Sequence, residues 1–167
     1  GTRTGKRAET LGLCVPAAVD GASGEILRWD GAPDMVGPWG RELSRRLGMP
    51  VQLAGCGNAA ALAEARFGAG KKYESLVYLS LGAAVRCGAV CGGEIFEGFG
   101  AGGVAAEHMS VEVGGVPCAC GRRGCFGQYV SGAALVRDTK RAMFEHKNSA
   151  LWRLAGDADG VTADTAF

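Results

Sequence analysis

The sequence predicts an α/β fold, because short apolar runs alternate along the chain with segments of helical pattern. The clearest strand is residues 75–81, a continuous run rich in leucine with valine and tyrosine. The clearest helix is the alanine-rich segment 59–67, which follows a second apolar run at 51–54 after four residues. A strand, a helix and a further strand in succession are typical of α/β proteins.

The other elements follow from local start and stop signals. Asn58 and Ser131 precede helical segments and suit N-caps, while Gly48 and Gly68 suit helix ends. The predicted strands are 11–15 (short and buried), 51–54 and 75–81, followed by apolar runs that reach Val90 and Ile95. The predicted helices are 38–47, 59–67, 133–146 and the first turn of a helix at 161–167. Thr162 is the predicted N-cap of the last one, and a turn is predicted at 20–24.

Composition limits the function classes. Eighteen basic and seventeen acidic residues leave a formal net charge of +1, so no overall electrostatic attraction to nucleic acid or anionic lipid is expected. No apolar run approaches the ~18 residues that cross a bilayer, and the polar N-terminus lacks the apolar core of a signal peptide. We therefore expect a cytoplasmic protein without membrane or direct nucleic-acid binding. The chain lacks an initiating Met, and its last helix stops after one turn, so we expect one α/β region, residues 1–167, truncated at both ends.

A cluster of cysteines carries the strongest chemical signal. Cys118, Cys120 and Cys125 lie within eight residues, and His108 precedes them. Three thiolates and one imidazole are a ligand set that Zn²⁺ prefers, and a closed four-ligand shell predicts a structural metal. Glycines at 121 and 124 permit the backbone angles of a tight metal loop. Reduced thiols or a disulfide are the alternatives, and a reducing cytosol argues against the disulfide. The predicted zinc loop spans 105–130.

These residues resemble the signature of the ROK family of bacterial sugar kinases and sugar-responsive repressors. The likeness rests on CACGRRGC at 118–125, YVSG at 129–132, VPAAVD at 15–20, NAAALAE at 58–64 and VYLSLG at 77–82. It covers residues 10–165 and implies an actin-like (ribonuclease-H-type) sugar kinase fold. About half of that fold is expected here, with the zinc loop inserted in it.

The chain departs from the resemblance at the catalytic position. Kinase-like members carry Asn-Asp-x-Asn, in which the Asp is the general base for the sugar hydroxyl, and here the positions read GCGN at 55–58. A carboxylate can accept the hydroxyl proton and hold the attacking oxygen in line. Cys56 could do so only as a thiolate. No catalytic residue is therefore expected.

The sugar-binding positions also differ. The implied Gly-Glu-x-Gly-His motif reads VAAEH at 104–108, so Ala105 replaces a glutamate. Glu107 could take that role only with a local shift of the chain. The glutamate usually found two residues after the last zinc cysteine is Gly127. His108, which the metal also engages, and Asn58 remain as expected sugar contacts, and sugar binding is expected to be weak.

The nucleotide positions are altered too. The implied Gly-Thr-Gly-x-Gly-Gly-Gly phosphate loop reads GAAVRCG at 82–88, which leaves Gly82 and Gly88 as the matching nucleotide contacts. Added side chains hinder the close approach of backbone N–H groups to phosphate. Arg86 could contact phosphate or be a solvated charge. A first phosphate loop is expected to precede residue 1.

Three hypotheses follow. The preferred one is a non-catalytic, zinc-stabilised ROK domain, a regulator or degenerate remnant that binds a hexose or N-acetylhexosamine weakly. The second is an ATP- and Mg²⁺-dependent hexose kinase of the glucokinase or N-acetylhexosamine kinase type, in which Cys56 or Glu107 replaces lost groups. The third is a zinc-loop interaction module. The resemblance also implies a possible homodimer.

Overall fold

The computed structural model describes residues 8–99 and 102–166, and the chain divides into two compact units. Unit 1 comprises residues 1–78 and 87–105, and unit 2 comprises residues 79–86 and 106–167. The last boundary, between 105 and 106, coincides with the start of the loop predicted to bind zinc. Among the described residues, no helix combines the length and the apolar character that a membrane crossing needs.

The first part of unit 1, as far as the structure describes it, forms two strand pairs and two α-helices. Strand β1 (Leu11–Val15) pairs in parallel with β4 (Val51–Gly55), and β2 (Ala18–Asp20) pairs antiparallel with β3 (Glu25–Arg28). The helices are α1 (Trp39–Leu47) and α2 (Cys56–Phe67). Val19, Ile26 and Leu53 form the core of this unit, and Trp29 and Trp39 pack against it. The alternation of strands and helices confirms the α/β prediction.

The predicted turn and helix ends of unit 1 are confirmed. Asp20 Oδ1 accepts the backbone N–H groups of Ala22 and Ser23, which closes the turn at 20–24. Gly48 ends α1 in the left-handed conformation, with φ 64°, which is accessible to glycine without a Cβ penalty. Gly68 follows the last residue of α2, as expected.

Two predictions for unit 1 are wrong. Asn58 does not cap α2, because the helix begins at Cys56 directly after the extended Gly55, so Asn58 lies inside the first turn and is buried. Strand β1 is not buried: Leu11 and Leu13 are each 38% exposed. Among the described residues β1 pairs with one strand, β4, and four of its five residues are exposed.

A three-stranded sheet confirms the consecutive strands that the apolar runs predict. It contains β5 (Leu76–Leu81), β6 (Val85–Cys91) and β7 (Glu94–Ile95), in the order β5-β6-β7. β6 pairs antiparallel with β7. The boundaries between the units fall within β5 and β6, so the loop between these two strands belongs to unit 2.

The described part of unit 2 contains the cysteine-rich loop and four α-helices. These are α3 (Gly127–Val130), α4 (Gly132–Glu145), α5 (Leu151–Ala155) and α6 (Ala163–Ala166). The short helices α3 and α5 were not predicted. Met143 of α4 is fully buried, and its carbonyl accepts the indole N–H of Trp152 at 3.0 Å. Trp152 also meets Phe144 edge to face, with ring centroids 5.7 Å apart.

The predicted caps of unit 2 are confirmed. Ser131 precedes α4, and its hydroxyl oxygen accepts the N–H of Ala134 at 3.1 Å. Thr162 precedes α6, and its hydroxyl oxygen accepts the N–H of Thr165 at 3.4 Å.

Removing the buried cap of α4 is expected to destabilise the protein moderately. Ser131→Ala leaves the Ala134 N–H without its acceptor, and such a loss costs about 1 kcal/mol. Urea unfolding measures the change. Ser110→Ala, at an exposed position outside the helices, serves as the control. Equal unfolding midpoints for both variants would contradict the cap's contribution.

Candidate functional site

The loop at 105–130, called the Cys₃His loop below, folds back on itself through backbone hydrogen bonds. The N–H of Cys118 donates to the carbonyl of Arg122 at 2.8 Å, and the N–H of Gly121 donates to the carbonyl of Cys118 at 3.0 Å. Gly121 and Gly124 have φ values of 85° and 73°, a region that favours glycine. A Cβ at Gly124 would also overlap the carbonyl of Glu112. Both glycines therefore have the turn conformations that the sequence predicts.

This folding brings the four predicted metal ligands together. The ligand atoms of His108, Cys118, Cys120 and Cys125 all lie within 4.8 Å of one another. His108 Nδ1 is 3.6 Å from Cys118 Sγ, and Cys120 Sγ is 3.7 Å from Cys125 Sγ. A tetrahedral ion with Zn–S bonds of about 2.3 Å separates its sulfur ligands by about 3.8 Å. The donor set and its spacing therefore fit one metal ion, and the cysteines are thiols, not disulfide partners.

The surroundings of Cys120 and Cys125 shift the pKa values of their thiols in opposite directions. The backbone N–H of Arg122 donates to Cys120 and lowers the pKa of that thiol. Burial raises the pKa of the Cys125 thiol, because a charged thiolate is disfavoured away from water. Gln128 Nε2 donates to Cys118 Sγ at 3.7 Å. Since metal ligation requires thiolates, an ion at this site must displace the proton of the buried Cys125.

Helix α3 lies at the end of the Cys₃His loop and is hydrogen-bonded to earlier parts of the same loop. The Tyr129 hydroxyl accepts the N–H of Val116 at 2.8 Å and donates to the carboxylate of Glu112. The N–H of Phe126 donates to the carbonyl of Met109 at 2.7 Å. Tyr129 belongs to the YVSG motif, but its hydrogen bonds to Val116 and Glu112 could not be predicted from the sequence. The fold of the loop, and not sequence spacing, brings these residues together.

The remaining sugar positions are divided between the units. In unit 2, His108 is 8% exposed, and a Cβ at Gly127 would lie 3.3 Å from Glu107 Cβ. In unit 1, Ala105 is exposed and Asn58 is buried. The Asn58 amide lies against Gly103, where an added Cβ would be 2.6 Å from Asn58 Oδ1. Asn58 thus has a packing contact in addition to its predicted sugar contact.

The position where the resemblance implies a catalytic aspartate is occupied by a thiol at the start of a helix. Cys56 is the first residue of α2 and is partly buried. The next residue, Gly57, packs against β6 so closely that a Cβ there would overlap the carbonyl of Cys87. A Cβ at Gly88 would likewise overlap the carbonyl of Gly57. The backbone of α2 is therefore held directly against the strand at this point.

The predicted nucleotide positions are separated along the β5–β6 hairpin. Gly82 lies in the loop, and its carbonyl accepts the N–H of Gly132 at the start of α4 at 2.8 Å. This loop and the start of α4 border a cavity of about 800 Å³ in unit 2, whose mainly apolar wall includes Leu81, Leu135 and Val136. Gly88 lies within β6 in contact with Gly57, so it has a packing role independent of any nucleotide.

Comparison with known proteins identifies the family. The sequence profile of the ROK family matches residues 2–166. The chain belongs to the ROK family. The recognition made from the sequence motifs is therefore confirmed.

The similar ROK proteins include both enzymes and regulators. A glucokinase of Thermotoga maritima is 31% identical over 164 residues, which are 98% of this chain and 52% of that protein. A xylose repressor of Bacillus subtilis is 26% identical over 127 residues, which are 76% of this chain and 33% of the repressor. This ROK chain thus spans about half, or less, of the length of these relatives.

A solved structure supports the same fold. The ROK family glucokinase of Streptomyces griseus, in complex with glucose and AMPPNP, has a TM-score of 0.85 and 31% identity, and the match covers 97% of this chain and 53% of that one. The likeness fits the actin-like sugar kinase fold expected from the resemblance. The family is related to sugar kinases. Because the similar proteins include both kinases and regulators, they do not decide between these two functions for this chain.

Proposed function

We propose that this ROK region is a zinc-stabilised sugar-binding domain that does not phosphorylate its sugar. The observation that carries the proposal is Cys56 at the first position of α2, where the resemblance implies an aspartate. General-base catalysis needs a group that accepts the sugar hydroxyl proton within hydrogen-bond reach. A protonated thiol does not do this, and the neighbouring Gly55 and Gly57 carry no side chain that replaces it.

Weak sugar binding follows from the same set of departures. Ala105, Gly127 and Gly55 take the places of two glutamates and an asparagine. Hydrogen bonds to charged groups contribute about 1.5–3 kcal/mol each. Their loss reduces affinity for a hexose or N-acetylhexosamine to the millimolar range or weaker, with His108 and Asn58 as the retained contacts.

The metal has a structural role in this proposal. His108, Cys118, Cys120 and Cys125 hold Zn²⁺ as a closed four-ligand shell, which leaves no position for a reacting group. The spacing of their ligand atoms supports this assignment. When bound, the ion supplies cross-linking of the Cys₃His loop. The loop in turn holds His108 at the sugar-binding wall.

A regulatory role is supported by the relatives. The match to the xylose repressor of Bacillus subtilis shows that regulators in this family share the region that this chain represents. A sugar-sensing domain needs ligand-dependent stability and no turnover. In this role the partners are the sugar and a second copy of the chain, as a homodimer.

A hexose kinase is the second candidate, favoured by the 31% identity to a glucokinase along nearly the whole chain. In that case ATP and Mg²⁺ are cofactors, Gly82 and Gly88 lie at the phosphates, and Cys56 or Glu107 substitutes for lost groups of the site. The Ala83, Ala84 and Arg86 side chains in the phosphate loop argue against it.

A turnover assay distinguishes the two functions. Zinc-loaded chain is incubated with ATP, Mg²⁺ and glucose, mannose, fructose or an N-acetylhexosamine, and ADP release is measured. We expect no sugar-dependent release, while glucose in the millimolar range raises the melting temperature. Sugar-dependent ADP release by the wild type would overturn the proposal.

The variants Cys56→Asp and Cys56→Ala test the base directly. Release that appears only in Cys56→Asp would show that the cleft is otherwise intact and that the missing carboxylate alone prevents turnover. Residual release that is unchanged in Cys56→Ala would instead exclude Cys56 as a substitute base. The absence of any sugar-dependent thermal shift would contradict the sugar-binding part of the proposal.

A further inference from the structure

A side-chain amide on helix α3 reaches the cluster of predicted metal ligands. Gln128 Nε2 donates to Cys118 Sγ at 3.7 Å, although the two residues are ten positions apart in the chain. Gln128 is not one of the four predicted ligands. Cys118 Sγ also lies 3.6 Å from His108 Nδ1. The amide therefore meets the cluster from outside, at the sulfur beside the imidazole.

The backbone of Gln128 is held on both sides, and this fixes the point from which its side chain extends. Its N–H donates to the carbonyl of Cys125 at 2.8 Å. Its carbonyl accepts a hydrogen bond from Nη2 of Arg137, on α4, at 2.9 Å. Arg137 is in turn paired with Asp138 at 2.8 Å. Because these contacts belong to α3, α4 and the end of the loop, the fold of unit 2 itself positions the amide.

A donor at a metal-bound sulfur has an electrostatic reason. Three thiolates bring three negative charges to an ion with two positive charges, and a neutral imidazole adds none, so the filled site carries one net negative charge. Cys125 is fully buried and His108 is 8% exposed, and a charge away from water is costly unless it is compensated. An N–H group directed at a thiolate offsets part of that charge, through a bond stronger than one between neutral groups.

Two sulfurs of the cluster receive such bonds from different kinds of donor. The backbone N–H of Arg122 donates to Cys120, and that donor is present whatever side chain stands at 122. Cys118 receives its bond from the side chain of Gln128. A substitution at 128 therefore removes one donor and leaves all four ligands in place, which makes its contribution measurable.

We propose that Gln128 is a positioning residue of the metal centre, whose side-chain amide orients the Cys118 thiolate, offsets its charge and thereby tightens zinc binding. The inference rests on the proposed zinc site and adds to it a residue outside the ligand set. Groups that hydrogen-bond to metal ligands commonly govern metal affinity as strongly as this role requires. The same residue contacts α4 through its carbonyl, so it also connects the metal centre to the longest helix of unit 2.

Zinc affinity is measured first, by competition with a chromogenic chelator. Gln128→Leu removes the donor, and we expect the Kd for zinc to rise about tenfold, in line with the loss of other such partners. Gln128→Glu keeps the length of the side chain but places a second negative charge beside the thiolate, so its Kd is expected to rise further. Gln52→Leu and Gln52→Glu, at an exposed position of β4 in unit 1, are the matched controls and are expected to keep the wild-type Kd.

Absorption spectroscopy separates this role from a packing role, with Co²⁺ in place of zinc as the probe. A hydrogen bond to a thiolate lowers the energy of the sulfur electrons. Its loss in Gln128→Leu is therefore expected to move the sulfur-to-cobalt charge-transfer band to longer wavelength. The cobalt d–d bands are expected to keep their tetrahedral pattern, because the ligands are unchanged. The Gln52 variants are expected to have the wild-type spectrum.

The possible results are distinct. A wild-type Kd for zinc in both Gln128 variants would overturn this inference and leave the proposed zinc site standing. Weaker binding with an unshifted charge-transfer band would assign Gln128 to packing and would overturn it as well. If Gln128→Leu does not fold, Gln128→Glu, which has the same size as the wild type, decides by the same two measurements. A wild-type protein that takes up no zinc would contradict both the proposed zinc site and this inference.

Discussion

Chelation of the metal is expected to unfold residues 105–130 while unit 1 keeps its helices and strands. The Cys₃His loop has few buried apolar residues, and its order depends on four ligands that converge within 4.8 Å. Zinc binding to small domains of this kind contributes about 10–16 kcal/mol to their folding. Cys120→Ser removes one ligand and is expected to mimic chelation. Hydrogen exchange of the loop amides, together with zinc content, measures the effect.

Cys91→Ser is the matched control for the metal site, because Cys91 is an exposed thiol outside the cluster. It is expected to keep a full equivalent of zinc and a protected loop. Metal affinity is also expected to fall from pH 8 to pH 6. Burial raises the pKa of the Cys125 thiol to about 11, so the thiol is protonated throughout this range and metal binding must release its proton against a higher proton concentration at the lower pH. A loop that stays protected after a strong chelator has removed all bound metal would contradict the zinc assignment.

Adding one methyl group at Gly57 or Gly88 is expected to destabilise unit 1 severely. A Cβ at Gly57 would overlap the Cys87 carbonyl and lie 2.6 Å from its carbon. A Cβ at Gly88 would overlap the Gly57 carbonyl and lie 2.8 Å from the Asn58 nitrogen. Both obstacles are backbone atoms, so no side-chain rotation relieves them. We expect Gly57→Ala and Gly88→Ala each to lower the free energy of unfolding by about 3 kcal/mol or more, as measured by urea denaturation.

Gly12→Ala is the control for these glycines. Gly12 lies in β1, and a Cβ there would have no atom within 4 Å. Alanine in a strand loses less conformational entropy than glycine on folding, so this variant is expected to be neutral or slightly more stable. Equal stabilities for all three alanine variants would show that α2 and β6 do not pack as closely as described. The comparison also separates the packing role of Gly88 from its proposed nucleotide contact, because unfolding is measured without nucleotide.

Most helices and strands could be predicted because their signals are local. Gly48 and Ser131 mark helix ends through their own backbone and side-chain chemistry. The strand at 75–81 is apparent from its apolar run. The predictions failed where the neighbours of an element decide the outcome. Asn58 resembles a cap in sequence, but the helix begins two residues earlier, at Cys56, where Gly57 packs against β6.

By itself, the sequence determined the family and predicted a set of four metal ligands, since three cysteines within eight residues carry their ligand chemistry in their spacing. The loss of a carboxylate at Cys56 could likewise be identified from one motif. Only the tertiary structure decided that Gly127 lies against the backbone of Glu107, and that Glu107 Oε2 is buried without a hydrogen-bond partner among the described residues. It alone also placed Gly57 against Gly88. These contacts join residues far apart in the chain, and close packing of backbone and side chains, which no local pattern encodes, determines which of them meet.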